Sequence, residues 1–476
     1  MALAILAVPL LGALSALLLR KQSRVRALLL PTTALTHLVL TLLAIFRPDQ
    51  VAISGWLALD APGRFFLLVT SVIFVLGTAY SVTYLGLHPE RDNRVFCVTT
   101  LIMLAALSAV AMAAHLGLLW VAIEASTLAA APLVYFNKNP ASIEATWKYL
   151  MVGSVGIALA LLGSLFLGYA ALAGTGQTSL DLGRLADEAP RFSRPWLRAA
   201  FVVLLVGYGT KMGLAPMHTW KPDAYGEAPG AVGALLAGAM TNAAFLALLR
   251  VYRIVDAGGE GEFARQLLVT MGLVSMGWAA VFLVRQPDFK RMLGYSSVEH
   301  MGILVLGVGI GGAGTSAALL HSANNGLAKV VMFLAAANIH RAFGSKRVED
   351  LPGAIRHLPV SAVLFVLGFL AATGAPPFGP FVSLFGVARA SLGGGRWFVG
   401  SAFLLLLAAV FAGMAATVLD VAYRASSERT PRFRDRAGTT LAPALALGLL
   451  VVLGVALPRP FSELIGAASR ALTGAG

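Results

Sequence analysis

The sequence predicts an all-α polytopic membrane protein with about 14 transmembrane helices, and three observations carry that prediction. Hydrophobic residues make up 58% of the 476 and charged residues only 12%, roughly half the charged share of an ordinary soluble domain, which is about 25%. Apolar runs of about 18 residues or more, each long enough to cross a bilayer as a helix, recur from one end to the other. Two of these runs are broken by neighbouring glycine and proline, at residues 213–216 and 373–380. Lipid tolerates such breaks only where the freed backbone faces protein or a water-filled cavity.

Residues 2–19 have no basic start and lead straight into a second run at 27–46, so they read as a retained span rather than a signal peptide. Runs 64–86, 95–113 and 115–136 follow, the last with Glu124 in V-A-I-E-A-S-T. Lys148 opens run 147–173, in T-W-K-Y-L. Run 196–220 ends in G-Y-G-T-K-M-G-L-A-P-M-H-T-W-K-P, residues 207–222, which places Lys211 just ahead of the first break and His218 and Lys221 just after it. Runs 229–252, 266–284 and 292–312 come next, with Glu299 and His300 inside S-S-V-E-H-M-G. Run 314–338 holds H-S-A-N-N-G-L-A-K, so His321, Asn325 and Lys329 fall one turn apart on one helical face. Run 359–388 contains the second break, T-G-A-P-P-F-G-P, and runs 397–420 and 440–457 close the series. All are rich in Leu, Ala, Val and Gly without alternation, which favours helices over barrel strands.

Gaps between runs reach only about 25 residues, so residues 1–476 read as a single membrane domain. The two breaks lie five spans apart. That spacing predicts two five-helix repeats, spans 4–8 at residues 95–252 and spans 9–13 at residues 266–420, one inverted relative to the other. The broken spans are then the seventh and the twelfth.

The net charge of +14 does not mark a nucleic-acid binder, because the arginines sit in short loops between spans. With an external N-terminus, loops expected inside carry about 21 Lys and Arg and those outside about 13. Segment 20–26 and loops 341–357 and 424–436 dominate the inner share, while loop 174–198, with Arg184, Arg191, Arg194 and Arg198, opposes it. Both termini then lie outside. The single cysteine, Cys97, excludes a disulfide framework. No metal site is expected, since His115, His218, His300 and His321 lack ligand spacing. The glycines at 307–314 do not follow a strand, so no phosphate loop and no nucleotide cofactor are expected.

An ionisable group at the bilayer centre costs about 2.5–3.5 kcal/mol on insertion scales. Each one needs a reason. Glu124 and Lys211 form either a static ion pair or a switchable one: burial and mutual attraction act oppositely on the amine, so a pair of variable spacing moves protons. Lys148 either joins them or snorkels from its span end. Glu299 and His300 are either part of a file with His321 and Lys329 or an interhelical hydrogen-bond pair.

The stretch K-M-G-L-A-P-M-H-T-W-K-P-D-A-Y-G-E-A-P-G-A-V-G-A-L-L-A-G, residues 211–238, resembles the signature of the antiporter-like proton-channel subunits of complex I, group 4 membrane-bound hydrogenases and Mrp antiporters. D-F-K-R-M-L-G-Y-S-S-V-E-H-M-G at 288–302, L-L-H-S-A-N-N-G-L-A-K-V-V-M-F at 319–333 and A-P-P-F-G at 375–379 extend the likeness over nearly the whole chain. S-S-V-E-H-M-G and A-L-L-A-G are most similar to the F-type branch of the hydrogenase-4 complexes. The resemblance implies two inverted five-helix bundles and a proton route matching Glu124, Lys148, Lys211, His218, His321 and Lys329, with Lys221, Glu299, His300, Asn242, Asn325 and Asp420 as accessory candidates.

Three positions depart from the pattern that the resemblance implies. The eighth span offers Ala237 and Asn242 where a lysine or histidine is expected, Asn325 replaces a histidine in the eleventh, and Leu384 replaces the twelfth-span Lys or Glu. The first half-channel thus reads as intact and the second as depleted, with Asp420 and Arg389 as substitutes. The expectation is a proton-translocating membrane subunit of a redox-driven complex of NADH dehydrogenase or hydrogenase-4 type, in a bacterial inner membrane. Other membrane subunits and separate redox or soluble catalytic subunits would be its partners, with the lipid bilayer around it, no nucleic acid and no cofactor of its own. The alternatives are an Mrp-like Na+/H+ antiporter subunit, a proton-conducting subunit of an inorganic-carbon uptake complex, and a non-conducting scaffold. Because the chain stops after its fourteenth span, a medial place in the assembly is expected.

Overall fold

The computed structural model describes residues 1–19, 24–46, 55–87, 92–424 and 430–473. Parts of segment 20–26 and loop 424–436, both used in the charge count, lie outside the described residues. The helices are α1 Ala2–Leu18, α2 Arg24–Phe46, α3 Ala61–Gly86, α4 Arg94–Met112, α5 Leu116–Val134 and α6 Pro140–Thr175, then the short α7 Leu182–Glu188 and α8 Arg194–Met212. They continue with α9 Trp220–Glu227, α10 Gly230–Leu235, α11 Thr241–Val255, α12 Gly261–Leu283, α13 Phe289–Ile310 and α14 Ala313–Phe343. The last are α15 Pro359–Ala372, α16 Gly379–Gly393, α17 Trp397–Tyr423, α18 Ala437–Val455 and α19 Arg459–Thr473. Among the described residues there is no strand, only isolated bridges such as His115 to Asp181.

Each of the predicted runs falls on a helix, and the two interrupted runs fall on the pairs α8/α9 and α15/α16. Nine helical stretches among the described residues are long and apolar enough to cross a membrane unaided. One of these, Gly230–Leu283, is 54 residues long and turns at Gly259, whose φ of +78° only glycine adopts readily. The apolar runs end at residue 457, but a further helix, α19, follows. It is amphipathic, burying Ile465, Ala468 and Leu472 while Arg459 and Arg470 lie elsewhere on the helix.

Exposed large apolar side chains, among them Leu18, Trp147, Met151, Phe398 and Leu405, ring the outside where lipid is the solvent. The long helix α14 is almost wholly buried. It packs against α10, α13, α15, α16 and α18, and carries His321, Asn325 and Lys329 into the interior with no exposed surface.

Polar contacts gather at the two ends of the bundle. At one end Arg26 pairs with Asp92, Asn137 with the Glu227 carbonyl, and Lys346 with Glu227 and Asp288. At the other, Arg198 pairs with the buried Glu260 at 2.6 Å and Arg250 ties three elements together. The Arg250 guanidinium donates to the Val110 and Ala111 carbonyls at the end of α4, both at 2.7 Å, and to Asp60 at 3.0 Å. Asp60 in turn caps α3 by accepting from the Gly63 N–H. Arg250→Ala leaves these helix-end acceptors unmatched, and a buried charge network that loses one partner costs about 3–5 kcal/mol. We expect a clear drop in the thermal midpoint of the detergent-solubilised protein, read by tryptophan fluorescence, with Arg250→Lys intermediate because it lacks the forked geometry.

Candidate functional site

The first break explains how a helix stops inside a membrane. After Met212, Gly213 takes φ +79°, and the Gly213 and Leu214 N–H groups both turn back to the Gly209 carbonyl at 2.8 Å, a glycine-dependent helix end. The carbonyls this frees are taken by side chains from beyond the break. Trp220 Nε1 donates to the Thr210 carbonyl at 2.9 Å and Lys221 Nζ to the Met212 carbonyl at 2.6 Å. The Ala215 N–H donates to Ser275 Oγ at 3.0 Å. The second break follows the same plan: Gly374 has φ +82° and the Ala375 N–H returns to the Leu370 carbonyl at 2.8 Å.

Lys211 is buried, with 1% of its surface exposed. Its Nζ donates to Thr127 Oγ1 on α5 at 2.7 Å and to Tyr149 OH on α6 at 2.9 Å. It lies 4.9 Å from the centre of the Tyr149 ring, where the π face favours a cation. Glu124 is within Coulombic reach of Lys211 but makes no hydrogen bond to it. One Glu124 oxygen accepts from Ser154 at 3.5 Å, a distant contact, and the other is buried without a partner. The pair is therefore separated, with neutral hydroxyls around the amine.

Across the break the polar interior continues. Lys329 Nζ donates to Ser296 Oγ at 2.8 Å, and Glu299 lies within Coulombic reach of it. His300 Nδ1 and His321 Nε2 are 3.0 Å apart, and His321 Nδ1 is 3.0 Å from Ser383 Oγ in the second break. With the Ser383 hydroxyl directed at the Pro380 carbonyl, 3.1 Å away, His321 Nδ1 carries the ring proton and Nε2 accepts from His300. Buried amide atoms nearby, Asn242 Oδ1 and both side-chain atoms of Asn325, have no protein partner; sites of this kind are where ordered water sits.

The structure thus brings together Glu124, Lys211, Lys221, Glu299, His300, His321 and Lys329, with Asn242 and Asn325 beside them. His218 is also buried, with its ring edge-on to Trp278 at 5.7 Å, and lies within Coulombic reach of Lys221. Lys148 is not brought in. Its side chain is 47% exposed and pairs with Glu144 and Asp223, because the helical phase of α6 turns Tyr149 inward instead. Asp420 is likewise apart, 59% exposed and facing Arg424 at 3.9 Å, and Arg389 is exposed. Tyr149, Thr127, Ser296 and Ser383 are polar partners that sequence reasoning does not find. Nothing in one sequence distinguishes them from the many hydroxyls that bond their own helix. Exposed ion pairs contribute little, so Lys148→Ala is expected to keep any transport rate within about twofold of wild type, whereas Tyr149→Phe, which removes a ligand of the Lys211 amine, is expected to slow it. Rates from purified protein in vesicles check both.

A helical membrane bundle with two broken helices and buried amines, carboxylates and imidazoles between them defines a polytopic membrane protein with a polar interior. Residues 113–412 match the NADH:quinone oxidoreductase/Mrp antiporter transmembrane family, and the chain belongs to that family. It is 35% identical over 345 residues to the hydrogenase-4 component F homolog of Methylacidiphilum infernorum, covering 68% of this chain and 72% of that one. It is 31% identical over 433 residues to NADH-quinone oxidoreductase subunit N of Desulforudis audaxviator, covering 86% and 85%. Its fold matches a chain of the archaeal membrane-bound sulfane sulfur reductase with a TM-score of 0.88 over 99% of this chain and 97% of that one, at 21% identity.

Proposed function

We propose that this chain is a proton-translocating subunit of a larger redox-driven membrane complex of the NADH dehydrogenase or hydrogenase-4 kind. Protons move along Glu124, Lys211, Lys329 and the His300–His321 pair. Separate subunits supply the redox chemistry. The observation that carries this reading is the Lys211 amine, held by two neutral hydroxyls with its carboxylate neighbour at a distance. An amine so placed gains or loses a proton as that neighbour's charge or spacing changes.

Sodium is disfavoured by the same geometry. The space between Thr127 Oγ1 and Tyr149 OH is filled by the Lys211 amine, and Ser296 Oγ is likewise occupied by the Lys329 amine, so these oxygens are not free to form the cage that a hard cation takes. Glu299 beside Lys329 supplies an acid to the second half despite Leu384, which speaks against a scaffold.

The reading includes fourteen crossings, with spans 4–8 and 9–13 as inverted repeats. The like construction of the two breaks, each an αL glycine with proline three residues on, supports it. It also includes a bacterial inner membrane and both termini on the periplasmic side, supported by the loop charge bias. The test is vesicle reconstitution of the purified complex. Redox-driven acidification should persist unchanged without sodium and collapse with a protonophore; strict dependence on sodium would overturn the proposal.

A further inference from the structure

We propose that Lys221 is the relay that joins the two halves of the proton file. This inference rests on the proton-carrying reading above.

The first observation is position. Lys221 has no exposed surface. Its Nζ donates to the Met212 carbonyl at 2.6 Å, one residue from Lys211, and to the Ser297 carbonyl at 3.3 Å, one residue from the Ser296 that holds Lys329. One amine therefore touches the backbone beside both of the other two. The second is a gap. Between the halves the eighth span provides only Ala237 and Asn242, and neither exchanges protons.

The third observation is the room made for the amine. A Cβ on Gly213 would stand 2.6 Å from Lys221 Cδ and 3.2 Å from its Nζ, so the lysine folds back over a glycine that cannot become alanine. In the second break a Cβ on Gly374 would stand 2.6 Å from Leu384 Cδ1. The two breaks share one plan, in which a side chain from beyond the break covers the αL glycine. In the second half that side chain is the leucine found where an ionisable residue is expected. In the first half it is an amine.

Capping alone does not call for this residue. A helix-end carbonyl needs one donor, which a neutral amide supplies without burying a charge. As a relay, Lys221 takes up a proton arriving from the Lys211 side, forming one N–H bond as the donor's breaks, and later releases it toward Lys329. No electron moves. Lys221 and Lys329 act on each other and both act on His300. Two ammonium groups in one dry region repel, so arrival of a proton at one drives the other's proton onward.

The test compares Lys221→Arg and Lys221→Gln with Lys211→Met in the whole purified complex in vesicles. Arginine keeps the cation and the donors for both carbonyls but never releases its proton, and glutamine keeps a donor without a charge. Both variants should assemble, and both should lower proton translocation by about 100-fold or more, the low end of what a positioned proton-transfer group contributes. Adding Asn242→Lys to Lys221→Gln should restore part of the rate. If either single variant keeps more than half of the wild-type rate while Lys211→Met is inactive, Lys221 is a helix cap and the relay is overturned. Failure of both to assemble overturns it in the same way. Retained translocation in Lys211→Met would instead overturn the proton-carrying reading itself.

Discussion

Lys211→Met is expected to leave the protein folded and assembled and to lower redox-driven proton translocation by about 100-fold or more. The fold should survive because the hydroxyls around the amine keep other partners and Glu124, the carboxylate that loses its cation, is only half-buried. Thr127 Oγ1 keeps its bond to the Ile123 carbonyl at 3.1 Å, and Tyr149 OH its contact with the Thr127 carbonyl at 3.3 Å. Methionine also fills the space of the lysine stem. Only the group that changes charge is lost. Native gels of the complex report assembly, and a pH-sensitive dye in vesicles reports translocation. A rate near wild type would remove Lys211 from the mechanism.

Lys329→Met is expected to be as damaging to transport and worse for the protein. Glu299 is 3% exposed, and Lys329 is the cation within its reach. Removing that cation leaves a buried carboxylate uncompensated, at a cost of about 3–5 kcal/mol, so the single variant should assemble poorly. Glu299→Gln in the same chain removes the stranded charge and should restore assembly. Translocation should stay lost in the double variant. The contrast separates the two roles of Lys329, because a purely structural lysine would regain both properties together.

Much of the fold is legible because the bilayer writes it into composition. Apolar runs, their breaks and the ionisable residues inside them are all costly in lipid and so stand out in the sequence. Helical phase is not legible. Lys148 and Tyr149 are neighbours in T-W-K-Y-L, separated by about 100° around the helix, and the sequence offers the charged one where the structure turns the tyrosine inward. The second half reads as depleted along the chain for a related reason. Leu384 stands where a charged group is expected, whereas the carboxylate within Coulombic reach of Lys329 is Glu299 on α13, a proximity between helices that spacing along the chain does not fix. Lys221 looks minor in the sequence, five residues after the first break. Its weight comes from the glycine it covers and the two carbonyls it meets. The helix α19 escapes the sequence reading because its apolar residues recur at helical spacing within a polar stretch, which a search for long apolar runs passes over.

The most direct measurement is the infrared difference spectrum of the intact complex during turnover, with the lysine amines labelled with nitrogen-15. Wild type should show an ammonium deformation band that disappears and returns within the cycle, shifts with the label, and is absent from Lys211→Met. A spectrum with no labelled band, or the same band in the variant, would mean that the amine stays in one protonation state and would contradict the mechanism.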